Sequence, residues 1–203
     1  MSSIRFFGIV PVEPGHLPAP VEGTEIVPFR DLGAIVAPAA YTNETPALDA
    51  AREHHQVITA WFSHRPVLPG PVGVVFRTRE VLAHWMELHY VTLSDALSHL
   101  EGRSEARVDI RGRESDDREP STESLATATE SFRSLRRLVS GAVPLKHDQN
   151  TGIVLSAAFL IETAGWEAFV AEVGAEEYRT PSLRYEITGP WPPYDFVRMQ
   201  LGG

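Results

Sequence analysis

The sequence predicts an α+β protein made of two small α+β domains. Strand-like runs alternate with amphipathic helical segments along the 203 residues, and two short strands near the start suggest a hairpin. The polar stretch 112–123 has no aliphatic or aromatic residue and is the best linker candidate. We therefore expect an N-terminal domain over 1–111 and a C-terminal domain over 124–203. Because two strands make a poor sheet alone, the second domain must recruit the strand 105–111 or pair with the first half.

Runs of β-branched and aromatic residues predict four strands in the first half. Proline or polar residues end each run, as expected at strand ends. The runs are 4–10, 25–29, 32–37 and 72–76. The second and third runs flank the dipeptide Arg30–Asp31, which therefore predicts the turn of the hairpin.

Apolar residues at helical spacing predict two helices in the same half. The first begins at the cap Thr45, with Pro46 in the first helical position. Its stripe consists of Leu48, Ala51, His55, Ile58 and Phe62. The second follows the cap Thr78, and its stripe consists of Leu82, Met86, Tyr90, Leu93, Leu97 and Leu100, widened by Trp85 and Leu88.

The second half contains three predicted strands and two predicted helices. Strict alternation over 105–111 predicts a strand with Val108 and Ile110 inward and its other face in water. The apolar run 153–161 predicts a strand buried on both faces, and alternation predicts a last strand at 183–187. One helix carries Leu125, Ala128, Phe132, Leu135 and Val139, and ends before Gly141 and Pro144. The other begins at the cap Thr163, carries Trp166, Phe169, Val170 and Val173, and ends at Gly174.

Charge and composition exclude several classes of protein. The formal net charge of -9 at pH 7 opposes binding to nucleic acid phosphates and to anionic lipid surfaces. The chain has no cysteine, which excludes disulfides, zinc ribbons and thiol nucleophiles. The apolar start is too short for a signal peptide, and no run is long enough to cross a bilayer. We therefore expect a soluble cytoplasmic protein with neither nucleic acid nor membrane as a partner.

Histidines are the residues that most suggest a metal site. Six of the eight lie between His54 and His99. The adjacent pair His54–His55 points in two directions on a helix, and His84 and His89 are five residues apart, so neither pair offers two ligands on one face. We interpret these side chains as partly exposed residues on helix faces, and we predict no metal and no cofactor.

The sequence contains no motif for nucleophilic catalysis or for phosphate binding. Ser63 beside His64 lacks the sequence of a nucleophile elbow. The acidic pairs Asp116–Asp117 and Glu176–Glu177 lie in polar segments where we expect solvated charges. The single lysine, Lys146, is a weak candidate for a Schiff base. We therefore predict no catalytic residue and no enzyme.

The terminal sequence GPWPPYDFV, residues 189–197, combines three prolines with three aromatic residues. Because proline fixes φ and removes a donor, we expect this segment to be extended and outside a regular strand ladder. It is either a peptide ligand for an aromatic groove of a partner or, as we favour, a structural strap that holds the last strand on the core. The residues that would act in either role are Trp191, Pro192, Pro193, Tyr194 and Phe196.

This terminal sequence resembles the terminal signature of the gas vesicle protein F/L family. Further segments resemble that family in the same order along the chain: FFGIVP, DLGAIVAP, EHHQVI, PVLPGPVGVVF and VLSAAFLI. Three features depart from the family pattern, and one of them is the stretch after Arg111, which is short. Gly70-Pro71-Val72 stands where the family has Leu-Arg-Phe, and Ser156 stands where asparagine is typical.

The resemblance implies two α+β domains, of which the second has a modified ferredoxin-like fold. It also implies a non-enzymatic accessory protein for gas vesicle assembly, found in the cytoplasm and at the gas vesicle. The implied partner is the hydrophobic major shell protein, with other gas vesicle accessory proteins as further candidates. Clustering alone suggests Trp61–Phe62 or Trp85–Met86 for apolar contacts with a partner, although we favour core packing as the role of each pair.

Two other functions are compatible with the residues. The first is a small-molecule-binding or enzymatic α+β domain with a cleft between the two halves, whose mark would be polar groups with displaced pKa values converging in one cleft. The second is a regulatory module that uses its terminal sequence as a docking peptide.

Overall fold

The computed structural model describes residues 3–13, 15, 18–19, 21–40, 48–113, 121–147, 151–197 and 199. The chain divides into two compact units, one of Met1–Glu101 with Val197–Gly203 and one of Gly102–Phe196. The expected domain boundary at residue 111 thus differs from this division, which lies ahead of strand 103–112 because that strand pairs on both sides within the second unit. Most of the expected linker, the cap Thr45 and Pro46 lie outside the described residues.

The first unit contains an antiparallel sheet in the order β2-β3-β1-β4, with β5 also paired to β1. Its strands are β1 (Ile4–Pro11), β2 (Glu25–Phe29), β3 (Leu32–Pro38), β4 (Leu68–Pro69) and β5 (Val75–Phe76). The hairpin of β2 and β3 turns at Arg30–Asp31 as predicted. The predicted strand 72–76 is reduced to its last two residues, because Gly73 adopts a φ of 81° in a turn.

Two helices complete the first unit, α1 (Leu48–Phe62) and α2 (Arg79–Leu100). The hydroxyl of Thr78 accepts a hydrogen bond from the Val81 N–H at 3.3 Å, so the predicted cap is confirmed. The predicted face of α1 is confirmed in part: Ile58 is buried, but Leu48 is exposed, and His54 and Trp61 are buried beside the predicted stripe. On α2 the buried residues match the predicted stripe with two exceptions, since Leu88 is exposed and Tyr90 is only half-buried.

The second unit has the element order βαββαβ. Its elements are β6 (Arg103–Gly112), α3 (Thr122–Arg136), β7 (Gly141–Leu145), β8 (Ile153–Glu162), α4 (Trp166–Arg179) and β9 (Leu183–Trp191). The strands form one antiparallel sheet in the order β7-β8-β6-β9. This order and connectivity are those of the ferredoxin-like fold. The predicted α+β class is confirmed.

The second unit differs from the prediction at three elements. Gly141 and Pro144 do not merely end α3 but lie in β7, a strand at the sheet edge, where a proline can be tolerated. A short 3-10 turn at Thr163–Gly165 precedes α4, which continues through Gly174 to Arg179. The last strand extends to Trp191, so part of the proline-rich sequence does join a strand ladder.

The core of the second unit lies between its sheet and its two helices. Ala106, Val108 and Ile110 of β6 face this core together with Phe159 of β8 and Phe169 of α4. Among the described residues, no helix is long and apolar enough to cross a membrane.

Candidate functional site

The terminal segment, residues 191–196, lies against the sheet of its own unit. Trp191 is the ladder partner of Glu105 on β6, which in turn is paired with Leu160 on β8 and through it with Gly141 on β7. Glu105 alternates with the core residues Ala106 and Val108, so it points to the sheet face opposite α3 and α4. The segment therefore contacts the side of the sheet that the helices leave uncovered.

A fully buried carboxylate anchors this segment. One oxygen of Glu105, Oε2, accepts a hydrogen bond from the Asp195 backbone N–H at 2.9 Å, and the other, Oε1, accepts one from Arg107 Nε at 2.9 Å. Nη2 of the same arginine lies 2.9 Å from Asp195 Oδ2 and completes an ion pair. One guanidinium thus bridges two carboxylates, one on the strand and one on the terminal segment.

Burial displaces the pKa values of this group of residues. It raises the pKa of Glu105 to about 7, against the opposing effect of the Asp195 backbone N–H, and the nearby Asp195 charge raises it further. Burial also raises the pKa of the Tyr194 phenol, and the neighbouring Glu105 charge adds to that effect. These residues therefore surround one carboxyl group that is shielded from water.

Two aromatic residues of the segment and the glycine that precedes it make close contacts. A Cβ placed on Gly141 would lie 3.2 Å from Cε1 of Phe196, so the ring packs directly over that glycine of β7. The indole Nε1 of Trp191 donates to Thr188 Oγ1 at 3.1 Å. Gly189 has a φ of 128°, and a Cβ there would lie 2.7 Å from the Glu105 carbonyl oxygen and 2.8 Å from Cη2 of Trp166. Only glycine fits this approach without a shift.

The structure brings the five predicted segment residues together at one place on the sheet, with Pro192 and Pro193 buried. It adds Glu105, Arg107 and Asp195, which sequence reasoning did not select. The alternating pattern predicted that Glu105 faces solvent. In the structure it is buried because the backbone at Asp195, 90 residues later in the sequence, covers it. A local pattern carries no signal of such a distant contact.

The histidine interpretation needs one correction. His54 is almost fully buried, and its ring centroid is 5.4 Å from that of Phe7. Burial lowers the pKa of His54 to about 4, and neither ring nitrogen has a hydrogen-bond partner among the described residues. His84 and His89 remain on α2, where the first lies 3.4 Å from Glu87 and the second 2.8 Å from the Trp85 carbonyl oxygen. No group of three candidate ligands that could hold a metal occurs within the described part of the chain.

The expectation of a solvated Glu176 is also wrong. Its carboxylate is buried between α3 and α4, where Arg179 Nη2 donates to it at 2.7 Å and the Ser131 hydroxyl at 3.2 Å. Burial opposes ionisation, but hydrogen bonds from Arg179, Ser134 and Ser131 outweigh that effect and lower the pKa of Glu176. Tyr185 of β9 donates to Ser131 at 2.7 Å, so this polar network joins both helices to the sheet.

A cavity of about 540 Å³ lies at the end of the second unit where α3 finishes and α4 begins. Leu138, Val139, Ile161 and Phe169 form its apolar wall, and its charged lining residues are Arg137, Glu162 and Glu172. The aromatic pairs considered for partner contacts do not line it. Trp61, Trp85 and Met86 are buried in the first unit, so they contribute to its core and not to an exposed surface.

The fold of the whole chain is similar to that of two solved structures. It is similar to the crystal structure of the gas vesicle protein GvpF from Anabaena sp. PCC7120, with a TM-score of 0.78, 16% identity and 98% of each chain covered. A second GvpF structure, from Microcystis aeruginosa, gives a TM-score of 0.73 at 14% identity, covering 98% of this chain and 100% of the other. At these identities the likeness concerns the fold.

Sequence comparison identifies the family. The model of the gas vesicle synthesis protein GvpL/GvpF family matches residues 6–144 and 117–198, and the chain belongs to this family. Gas vesicle protein F1 of Halobacterium salinarum is 25% identical over 188 residues, which cover 91% of this chain and 85% of the relative. Gas vesicle protein F2 of the same organism is 25% identical over 180 residues, which cover 87% and 81%.

Proposed function

We propose that this protein is a non-enzymatic accessory factor that binds the hydrophobic major shell protein during gas vesicle assembly. The observation that carries the proposal is the family match, which extends over both units and not over one shared domain. Other accessory proteins of the vesicle are further candidate partners. The binding takes place in the cytoplasm and at the growing vesicle.

Physical chemistry supports such a role. A shell subunit with a large apolar face aggregates in water unless another surface covers that face. A partner with a formal net charge of -9 keeps the resulting complex dispersed, because like-charged complexes repel each other. The protein would thus deliver the shell subunit in a form that can still join the vesicle wall.

The anchor of the terminal segment supports a non-enzymatic role. Glu105, Arg107 and Tyr194 are the kind of converging groups with displaced pKa values that a catalytic cleft would need. Here the carboxylate and the guanidinium instead hold the backbone and side chain of Asp195. We therefore assign the segment 191–196 to a structural strap and not to a substrate site or a docking peptide.

The test is co-expression of the major shell protein with the full chain carrying an affinity tag. We expect the shell protein to stay in the soluble fraction and to co-purify with the tagged chain in a fixed ratio. The control is a tagged acidic protein of similar size from outside the family. Recovery of the shell protein only in the pellet, in either order of expression, would count against the proposal.

A further inference from the structure

Helix α2 leaves three large aliphatic side chains in water on one stripe. Val81 is 51% exposed, and Leu88 and Val91 are each 69% exposed. With His84 between them, these residues follow the spacing i, i+3, i+7 and i+10, which is that of the apolar seam of a helix that packs on another helix. We call Val81, His84, Leu88 and Val91 the α2 seam.

Among the described residues of its unit nothing covers the seam, because the opposite side of α2 already faces the core. Leu82, Met86, Leu93, Leu97 and Leu100 are buried there. The helix extends over 22 residues and is capped at its start by Thr78. The seam is therefore presented on a rigid element whose core contacts fix its orientation.

Acidic residues border the seam. Glu80 and Glu87 are seven residues apart and lie along one flank, and Asp95 occupies the next seam position after Val91. All three are exposed. The nearest basic residue at the start of the helix, Arg79, forms an ion pair with Glu25 of β2. The seam is thus apolar at its centre and negative at its border.

We infer that the α2 seam binds an amphipathic helix of the shell protein, with an apolar face against Leu88 and Val91 and basic residues opposite Glu87 and Asp95. The inference deepens the proposed function and depends on it for the identity of the partner. The charge pattern is the reason for choosing this occupant. A second copy of α2 would bring acidic flank against acidic flank, and an anionic lipid surface or a nucleic acid would be repelled.

The first experiment measures binding of a defined peptide to the full chain by fluorescence anisotropy. The probe is a labelled helical peptide of three heptads. Leucine occupies the two positions of each heptad that would face the α2 seam, and lysine occupies the positions that flank them. A matched peptide carries glutamate at those flanks. We expect the lysine peptide to bind, more weakly as salt is raised, and the glutamate peptide not to bind.

Substitutions locate the contact. The pair Leu88→Asp and Val91→Asp is expected to weaken binding of the lysine peptide by about tenfold or more. The matched control Leu125→Asp, which changes an exposed leucine on α3, should leave binding unchanged. The pair Glu87→Lys and Asp95→Lys should reverse the preference towards the glutamate peptide. Circular dichroism and thermal melting establish that each variant is folded.

Shell-protein capture separates failure of the surface from failure of the function. If the variant with Leu88→Asp and Val91→Asp still captures the shell protein at the wild-type level, the α2 seam is not the binding surface, while the proposed function stands. If the wild type captures no shell protein but binds the lysine peptide, the proposed function fails and the identity of the partner with it. The inference would be overturned if the wild type bound neither peptide. It would also be overturned if sedimentation showed a wild-type dimer that Leu88→Asp dissociates.

Discussion

The terminal segment of the second unit and helix α2 of the first place apolar side chains in opposite settings. The second unit places its terminal aromatic residues on its own sheet and anchors them through Glu105 and Arg107. The first unit leaves the α2 seam exposed on a helix whose other face is packed into the core. On our proposal, the α2 seam contacts a partner, whereas the terminal segment closes part of the surface of its own unit.

Each unit also encloses an ionisable group whose pKa is displaced towards its neutral form. The first encloses His54, whose pKa is lowered to about 4, and the second encloses Glu105, whose pKa is raised to about 7. Both shifts favour the neutral form, since burial penalises charge. One group is a base and the other an acid, so the two contribute opposite pH trends to stability.

The largest expected effect concerns closure of the second unit. Gly189→Ala should lower the free energy of unfolding by about 3 kcal/mol, because the new Cβ meets backbone and an indole ring at a φ that side chains disfavour. Urea unfolding followed by circular dichroism measures the change. The matched control is Gly174→Ala inside α4, where a Cβ meets nothing within 4 Å. That control should raise stability by about 0.5 kcal/mol or more. Equal losses of stability in both variants would contradict the close contact of Gly189 with Glu105 and Trp166.

His54 should make the first unit sensitive to acid. In the folded state His54 stays neutral below its ordinary pKa of 6.5, while the unfolded state binds a proton. Its contribution to stability is therefore lost as pH falls from 6.5 towards 4, by on the order of 1 kcal/mol per pH unit. His54→Leu should flatten this part of the stability profile, measured by urea unfolding. His64→Leu, which changes an exposed histidine, is the matched control.

Glu105 should give the reverse trend. Between its ordinary pKa of 4.5 and its folded value of about 7, the native state holds a proton that the unfolded state has released. Stability contributed by this group therefore falls as pH rises through that window, by on the order of 1 kcal/mol per pH unit. Glu105→Gln, which keeps a neutral acceptor, should remove this slope. Glu130→Gln, an exposed change on α3, serves as control, and an unchanged slope in Glu105→Gln would argue against the raised pKa.

The smallest expected effect tests a single hydrogen bond of the strap. Trp191→Phe removes the donor to Thr188 and should lower stability by about 1 kcal/mol. Thr188→Val removes the acceptor. A double-mutant cycle isolates the bond, since the combined variant should lose less than the sum of the single losses. Strict additivity of the two losses would show that the indole is held by packing alone.

Sequence periodicity predicted the elements whose neighbours are local. The cap Thr78 and most buried positions of α2 follow from spacing, and the long apolar run of β8 follows from composition. Strand β7 was missed because Gly141 and Pro144 are breaker residues everywhere except at a sheet edge. The face of α1 was assigned only in part, because spacing alone did not show that His54, rather than its neighbour His55, is buried.

The candidate site was predictable only in part. Composition alone singled out the terminal segment, because prolines and aromatic residues are concentrated there. The anchor could not be found in the same way, since the partners of Asp195 lie on β6, far away in sequence. The α2 seam was hidden by a related ambiguity. Leu88 fits a widened apolar stripe as well as an exposed one, and only tertiary packing decides between the two.

The measurement that tests the division of roles most directly is shell-protein capture by three forms of the full chain. These are the wild type, the seam variant Leu88→Asp with Val91→Asp, and the strap variant Glu105→Gln, all compared at equal concentration and after a folding check. The account predicts that the strap variant captures the shell protein as the wild type does and that the seam variant loses at least about tenfold in affinity. Loss of capture in the strap variant with full capture by the seam variant would contradict it.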